Sequence, residues 1–315
     1  MTPSAAPLYT DIGAGPVAGA AYWLTTSDGV RIRIGVWAPE AQRGTVLLFC
    51  GRTEYVEKYA IAAGDLAQRG YATVVIDWRG QGLADRLLSN TNIGHVDDFA
   101  DYQLDVAAVM HATSHLGLPQ PYYLLGHSMG GSIGLRALYE GLPVAAAAFT
   151  GPMWGIAMAP YLRPVAWGLG RAMPAAGLGN VLAPGTSQTH YVLASPFEDN
   201  TLTRDRTMWA MMHDQLNAHR ALALGGPSVT WLRGALDDTN ELATRASPDL
   251  PCVTFLGDNE RIVDVPRIHD RMERWEDGTL YIIENAEHEV MMEDQATRTW
   301  LFDTMVDAFA KAGEA

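Results

Sequence analysis

Residues 122–131 read Tyr122-Tyr123-Leu124-Leu125-Gly126-His127-Ser128-Met129-Gly130-Gly131, an apolar run that breaks at a serine flanked by glycines. A run of that kind is expected of a strand covered on both faces. Met129 to Tyr139 reads as a helix. A serine between strand and helix, with a glycine two positions to either side, fits G-x-S-x-G. In such a turn the strained backbone exposes Oγ at the sheet edge. The glycines let neighbouring chain pass closely, and the helix N-terminus favours a developing negative charge. The motif alone is weak, and the strand before it and the helix after it give it weight.

Working outward, strands and helices alternate. Residues 21–27 and 30–38 are β-rich around Ser27-Asp28-Gly29 and predict a hairpin. Thr45 to Cys50 and Tyr71 to Ile76 are continuous apolar runs, with a helical pattern from Glu54 to Gln68 between them. Phe99, Tyr102, Val106, Val109 and Met110 follow at helical spacing. After residues 153–235, rich in Trp, Met, Ala and Pro and without a convincing strand, the alternation resumes. Cys252–Leu256 and Tyr281–Ile283 are strands, and Val265–Trp275 and Gln295–Lys311 are helices. This order predicts a mostly parallel sheet flanked by helices. The expected organisation is an α/β core over 1–150, a helical cap over 151–235, and the rest of the core over 236–315.

Composition narrows the function. Of 315 residues, 48% are apolar and 18% charged, so a large core can be buried. The net charge of −14 disfavours nucleic acid as a partner. Two cysteines give neither a disulfide framework nor a paired CxxC metal site. Residues 1–16 lack a basic segment followed by an apolar run. The uncharged stretch from Gly141 to Leu162 is broken by Pro143, Pro152 and Pro160. It reads as a buried strand, a loop and a helix rather than a membrane span. The expectation is a cytoplasmic chain, with peripheral contact to the inner membrane left open.

A serine needs a base, and the base an acid to orient it, in the chain order Ser, acid, His on such a sheet. His288, just after the last expected strand, is the candidate base. His127 sits inside the turn and is expected to point away from Ser128. His111 and His115 share a helix face but lack the glutamate of an HExxH metal site, so they read as surface residues. For the acid, Asp258, Glu260 and Asp264 compete in one loop, and Arg261 and Arg267 nearby suit the losers as ion-pair partners.

The turn at Gly126–Gly131, the segment Gly51–Tyr59 and Asp77-Trp78-Arg79-Gly80-Gln81-Gly82 together resemble the α/β-hydrolases. Within them they resemble the monoacylglycerol-lipase-like group, and most closely its bacterial lysophospholipase branch. Gly94-His95-Val96, Glu260–Asp264, His269–Arg271 and His288-Glu289 extend the likeness across the sheet. It implies that Glu260 is the acid, although most of the wider group has Asp there. It implies an oxyanion hole made by the backbone N–H groups of Arg52 and Met129, and a cap over 153–235 that holds the acyl chain. Cys50-Gly51 stands where the wider group has His-Gly. Cys50 is expected to be a buried small hydrophobe, with no disulfide to Cys252.

The resulting expectation is a serine carboxylester hydrolase with Ser128, Glu260 and His288 as its triad. It would use no metal and no organic cofactor. Its small-molecule substrate would be a single-chain acyl lipid, with a lysophospholipid ahead of a monoacylglycerol or a general ester. An idle ligand-binding protein of the same fold is the rival of another class. Glu54 and Lys58 read as a helical i,i+4 pair of a few tenths of a kcal/mol. The Arg52 guanidinium has two readings, an anionic headgroup or an ion pair with Glu54, Glu57 or the Glu287–Asp294 loop. Among the bulky cap residues, most are expected in core and a few in a pocket.

Overall fold

The alternation of strand and helix resolves into one nine-stranded sheet. The computed structural model describes residues 2–13, 15–158 and 163–313. Its strands are β1 (Ser4–Ala6), β2 (Gly19–Thr25), β3 (Arg31–Trp37), β4 (Thr45–Phe49), β5 (Ala72–Asp77), β6 (Tyr122–His127), β7 (Ala146–Thr150), β8 (Cys252–Gly257) and β9 (Gly278–Ile283). They lie in the order β1-β2-β3-β5-β4-β6-β7-β8-β9. The first three pair antiparallel, β3 pairs antiparallel with β5, and all remaining pairs are parallel. The expected hairpin is present, with Thr25 opposite Arg31. The edge strand β1 is short and carried no sequence signal.

Every residue of β4 and β6 is buried, which is why both read as unbroken apolar runs. Their helices are α1 (Ala60–Gln68), α2 (Tyr102–His115), α3 (Met129–Tyr139), α4 (Arg163–Ala175), α5 (Tyr191–Ala194), α6 (Arg206–Ala218), α7 (Val229–Ala243), α8 (Val265–Glu273) and α9 (Gln295–Gly313). Helix α9 places Leu301, Phe302, Met305 and Phe309 against the sheet at helical spacing, all fully buried. Phe309 stacks on Tyr123 at 4.5 Å.

Strand order locates the site. The chain steps from β4 outward to β5, then crosses back so that β6 pairs with the other side of β4. The winding reverses between β4 and β6, and their carboxyl ends open a crevice where such sheets bind ligands. The loop after β4 is Cys50-Gly51-Arg52, and the turn after β6 is His127-Ser128.

Helices α4 to α7 lie between β7 and β8, and the described residues from 151 to 251 add no strand to the sheet. Helix α7 runs through residue 235, and β8 starts only at Cys252. Of the uncharged stretch Gly141–Leu162, residues 146–150 form β7, and its last four residues lie outside those described. No helix among the described residues is long and apolar enough to cross a membrane. The helical segment has a small core of its own, formed by Val192, Trp209, Met212, Leu216 and Leu222 around Tyr55. Tyr55 donates its hydroxyl to Gln215 Oε1 of α6 at 2.8 Å.

The start of α3 is locked against β4. A Cβ on Gly130 would stand 1.9 Å from the Phe49 carbonyl oxygen. Gly130→Ala is therefore expected to lower unfolding free energy by about 3 kcal/mol or more. A urea midpoint unchanged from the parent protein would contradict that close contact.

Candidate active site

Ser128 sits between β6 and α3 at φ 49°, ψ −119°. A residue with a side chain pays about 1–3 kcal/mol to stand there, and the surroundings must hold it. They do: the Ser128 N–H donates to Thr150 O at 3.1 Å, and the Ser128 carbonyl accepts from Met153 at 2.8 Å and Gly131 at 2.9 Å. The loop after β4 presses on the serine, since a Cβ on Gly51 would lie 3.0 Å from Ser128 Cβ. Among the described residues the N–H groups of Arg52 and Met129 donate to nothing. That of Met129 opens α3 and so has no helical acceptor.

His288 follows β9, and its Nδ1 lies 2.6 Å from Glu260 Oε2. Of the competing carboxylates, Glu260 is the one on the imidazole. Its other oxygen accepts from Ile262 at 2.7 Å and Val263 at 3.1 Å. Burial opposes the charge on Glu260, but the neighbouring imidazole and these N–H donors outweigh it and hold its pKa below the usual value. Asp258 is exposed, and Asp264 faces Arg267 Nε at 3.8 Å. Gly151, which the sequence reading did not single out, makes room for the pair. At φ 46°, a Cβ there would meet His288 Nδ1 at 3.0 Å and Glu260 Oε2 at 3.2 Å.

Behind the serine lies a buried polar cluster. Glu54 accepts from Gly51 N–H, from the Lys58 ammonium and from Tyr59 Oη at 2.6 Å. Lys58 Nζ also donates to Glu289 Oε1 at 2.6 Å. His127 turns toward this cluster, with Nδ1 2.9 Å from Thr150 Oγ1 and Nε2 3.2 Å from Glu289 Oε2. Burial works against a charged His127, but Glu289 and Glu54 overcome it and raise its pKa. Glu54, His127 and Glu289 bring ligand atoms within 4.8 Å of one another, the spacing of a metal site. The Lys58 ammonium already supplies the cation between the two carboxylates. The Glu54–Lys58 pair is thus no solvated helical pair but a buried bridge from the β4 loop to the His288 loop.

Ser128, His288 and Arg52 share the wall of one cavity of about 420 Å³. Met153, Ile156, Met212, Leu216 and Trp231 supply apolar lining, so a few of the bulky residues noted in the sequence do face a pocket. Trp154, Met208 and Trp209 are buried in core, whereas Met158, Trp167, Met173 and Met211 are only half-buried. The Ser128 hydroxyl forms no hydrogen bond among the described residues, as is common where the substrate completes the alignment. Thr53 stands at φ 68° beside Arg52. Gln81 Oε1 accepts its N–H at 3.3 Å, and His190 Nε2 meets its carbonyl at 3.2 Å. Burial pulls the His190 pKa down to about 4, so the ring is neutral and donates this bond.

The ion-pair reading of Arg52 does not hold. Glu57 pairs with Arg33, Glu54 and Glu289 with Lys58, and Glu287 with Arg261. The Arg52 guanidinium instead donates to Gly225 O at 2.9 Å. His111 and His115 stack at 6.3 Å on the exposed face of α2. Cys50 and Cys252 are both free and buried, and burial pushes both thiols up.

Two outcomes are expected. Glu260→Gln should lower kcat by about 10³–10⁴-fold, since it removes the charge that orients and stabilises the imidazolium. Asp258→Asn and Asp264→Asn should cost far less, and a larger loss in either would displace Glu260. Lys58→Met should lower stability by about 3–5 kcal/mol in chemical denaturation, because it leaves two buried carboxylates uncompensated.

The family described as serine aminopeptidase, S33 (Hydrolase_4) matches residues 40–295. "Lysophospholipase L2" of Escherichia coli is 30% identical over 298 residues, covering 91% of this chain and 86% of that protein. "Monoacylglycerol lipase" of Mycolicibacterium smegmatis is 27% identical, covering 85% and 89%. The crystal structure of a soluble variant of the monoglyceride lipase of Saccharomyces cerevisiae superposes with a TM-score of 0.70 at 20% identity, over 92% of this chain and 94% of that one. With its reversing parallel sheet and its serine turn, the chain belongs to this Hydrolase_4 family of α/β-hydrolases and is a serine hydrolase of carboxylic esters.

Proposed function

We propose that the protein releases the fatty acid of a lysophospholipid through an acyl-enzyme. The observation that carries this reading is the convergence of Ser128 and the Glu260-bound His288 on one largely apolar cavity beneath the helical segment. A cavity of about 420 Å³ lies within the size range of small-molecule sites. The likeness to a lysophospholipase over nine-tenths of the chain supports the headgroup class.

The proton accounting is simple. The bond to Glu260 assigns the Nδ1 proton of His288, which leaves Nε2 as the basic nitrogen. Nε2 takes the Ser128 proton as Oγ attacks the ester carbonyl, and later gives it to the departing glycerol oxygen. Water then attacks the acyl-serine by the same route. The N–H groups of Arg52 and Met129 receive the oxyanion; losing one such donor typically costs about 3 kcal/mol of transition-state stabilisation. Helices α4 to α7 form the cap that shelters the acyl chain. Leu178, Val181 and Tyr191 are exposed on it and suit contact with a lipid surface.

Ser128→Ala should fold normally and release no fatty acid from a lysophospholipid. A fluorophosphonate probe should label the parent protein at Ser128 and leave the variant unlabelled. Retained turnover in the variant would remove the mechanism. Faster release from the matched monoacylglycerol would move the assignment to a monoacylglycerol lipase, the activity named in the mycobacterial relative.

A further inference from the structure

Arg52 is the charged group of the cavity wall that the site leaves without a counter-charge among the described residues. A guanidinium offers five N–H donors. Here it makes one hydrogen bond, to Gly225 O, and lies 5.6 Å from the Trp231 ring centre. Burial is the main influence on it and pulls its pKa down to about 10, with Tyr102 the other group acting on it. It is therefore charged at neutral pH, in a poorly solvated place, beside the reacting serine.

Arg86 provides an internal comparison. It too bonds no carboxylate, but its guanidinium donates to the carbonyls of Gly80, Gly82, Thr91, Ala221 and Ala223. That guanidinium is held by five backbone carbonyls. The Arg52 guanidinium, with one such bond, belongs to a residue on the wall of the cavity that a ligand enters.

We infer that the Arg52 guanidinium is the phosphate-binding group for the substrate headgroup, and that it selects single-chain phospholipids of net negative charge over zwitterionic and neutral ones. This rests on the ester-hydrolase reading above. Charge complementarity sets the order. Glu54 and Glu289 are occupied by Lys58, and the Trp231 ring already faces Arg52. A headgroup ammonium entering the cavity meets a guanidinium and carboxylates already paired with Lys58, whereas a phosphate meets a planar fork of donors.

The test compares kcat/KM for lysophosphatidylglycerol, lysophosphatidylcholine and monoacylglycerol of one acyl length, below their micelle concentrations. The anionic lipid should lead the neutral one by on the order of ten- to one-hundred-fold, the range of a charge-assisted bond. Arg52→Gln should slow every substrate, since its loop carries the oxyanion N–H, and should bring the ratio near one. Arg52→Lys should restore part of the ratio. Independently of turnover, monododecyl phosphate should bind Ser128→Ala more tightly than dodecanol, read by tryptophan fluorescence. Adding Arg52→Gln should erase that difference. An unchanged ratio in Arg52→Gln overturns the inference. Equal rates on all three lipids in the parent protein overturn it while leaving the esterase reading intact, whereas no hydrolysis and no fluorophosphonate labelling removes both. Protection by inorganic phosphate without headgroup selectivity assigns Arg52 to a free anion and also overturns it.

Discussion

The arrangement depends on one buried ammonium. Lys58 reaches from the short helical turn after the β4 loop and holds both Glu54 and Glu289. Glu54 in turn holds the Gly51 N–H beside Ser128, and Glu289 is the next residue after His288. His127, the residue before Ser128, faces the same carboxylate. The loops that carry the proposed nucleophile, base and oxyanion donor therefore meet in one buried polar cluster. Such a cluster is costly to form, and its value lies in admitting few alternative geometries. A catalytic constellation needs that property, because a small misplacement of a reacting group costs rate steeply.

Much of the fold could be read because its signals are local. The apolar runs of β4 and β6, the glycines around Ser128 and the Asp28-Gly29 hairpin each follow from rules that act over a few residues. The short edge strand β1 was missed for the same reason: three residues of Ser and Ala carry no pattern, and only pairing with β2 makes them a strand. The extent of the helical segment was also less legible. Helix α7 crosses residue 235 because its buried Trp231, Ala235 and Leu242 continue one packed face.

The site was legible where chemistry leaves a motif and obscure where it is built by distant contact. Ser128 and His288 follow from turn and position. The three carboxylates between Asp258 and Asp264 could not be ranked from their residue types; backbone N–H donation from Ile262 and Val263 aims Glu260 at the imidazole. The Glu54–Lys58 spacing read as a helical i,i+4 pair of a few tenths of a kcal/mol. Its partner Glu289 lies 231 residues from Lys58, so no local rule could assign it. Gly151 was overlooked for a related reason, because the space it preserves belongs to side chains on two other loops.

Arg52 joins binding to chemistry through one residue. In the proposed reaction its N–H receives the oxyanion, and its guanidinium receives the headgroup phosphate. Its neighbour Thr53 holds a left-handed conformation between Gln81 of the core and His190 of the helical segment. The contact from the helical segment therefore bears on the loop that carries the proposed oxyanion donor, one residue away. Interaction energy from the nonreacting headgroup can then act on the geometry of the reacting centre, which is how remote contacts come to raise kcat and not only to lower KM. A phosphate site elsewhere on the cavity wall would add affinity without that coupling. On this argument, loss of the Arg52–phosphate contact falls on turnover as well as on binding.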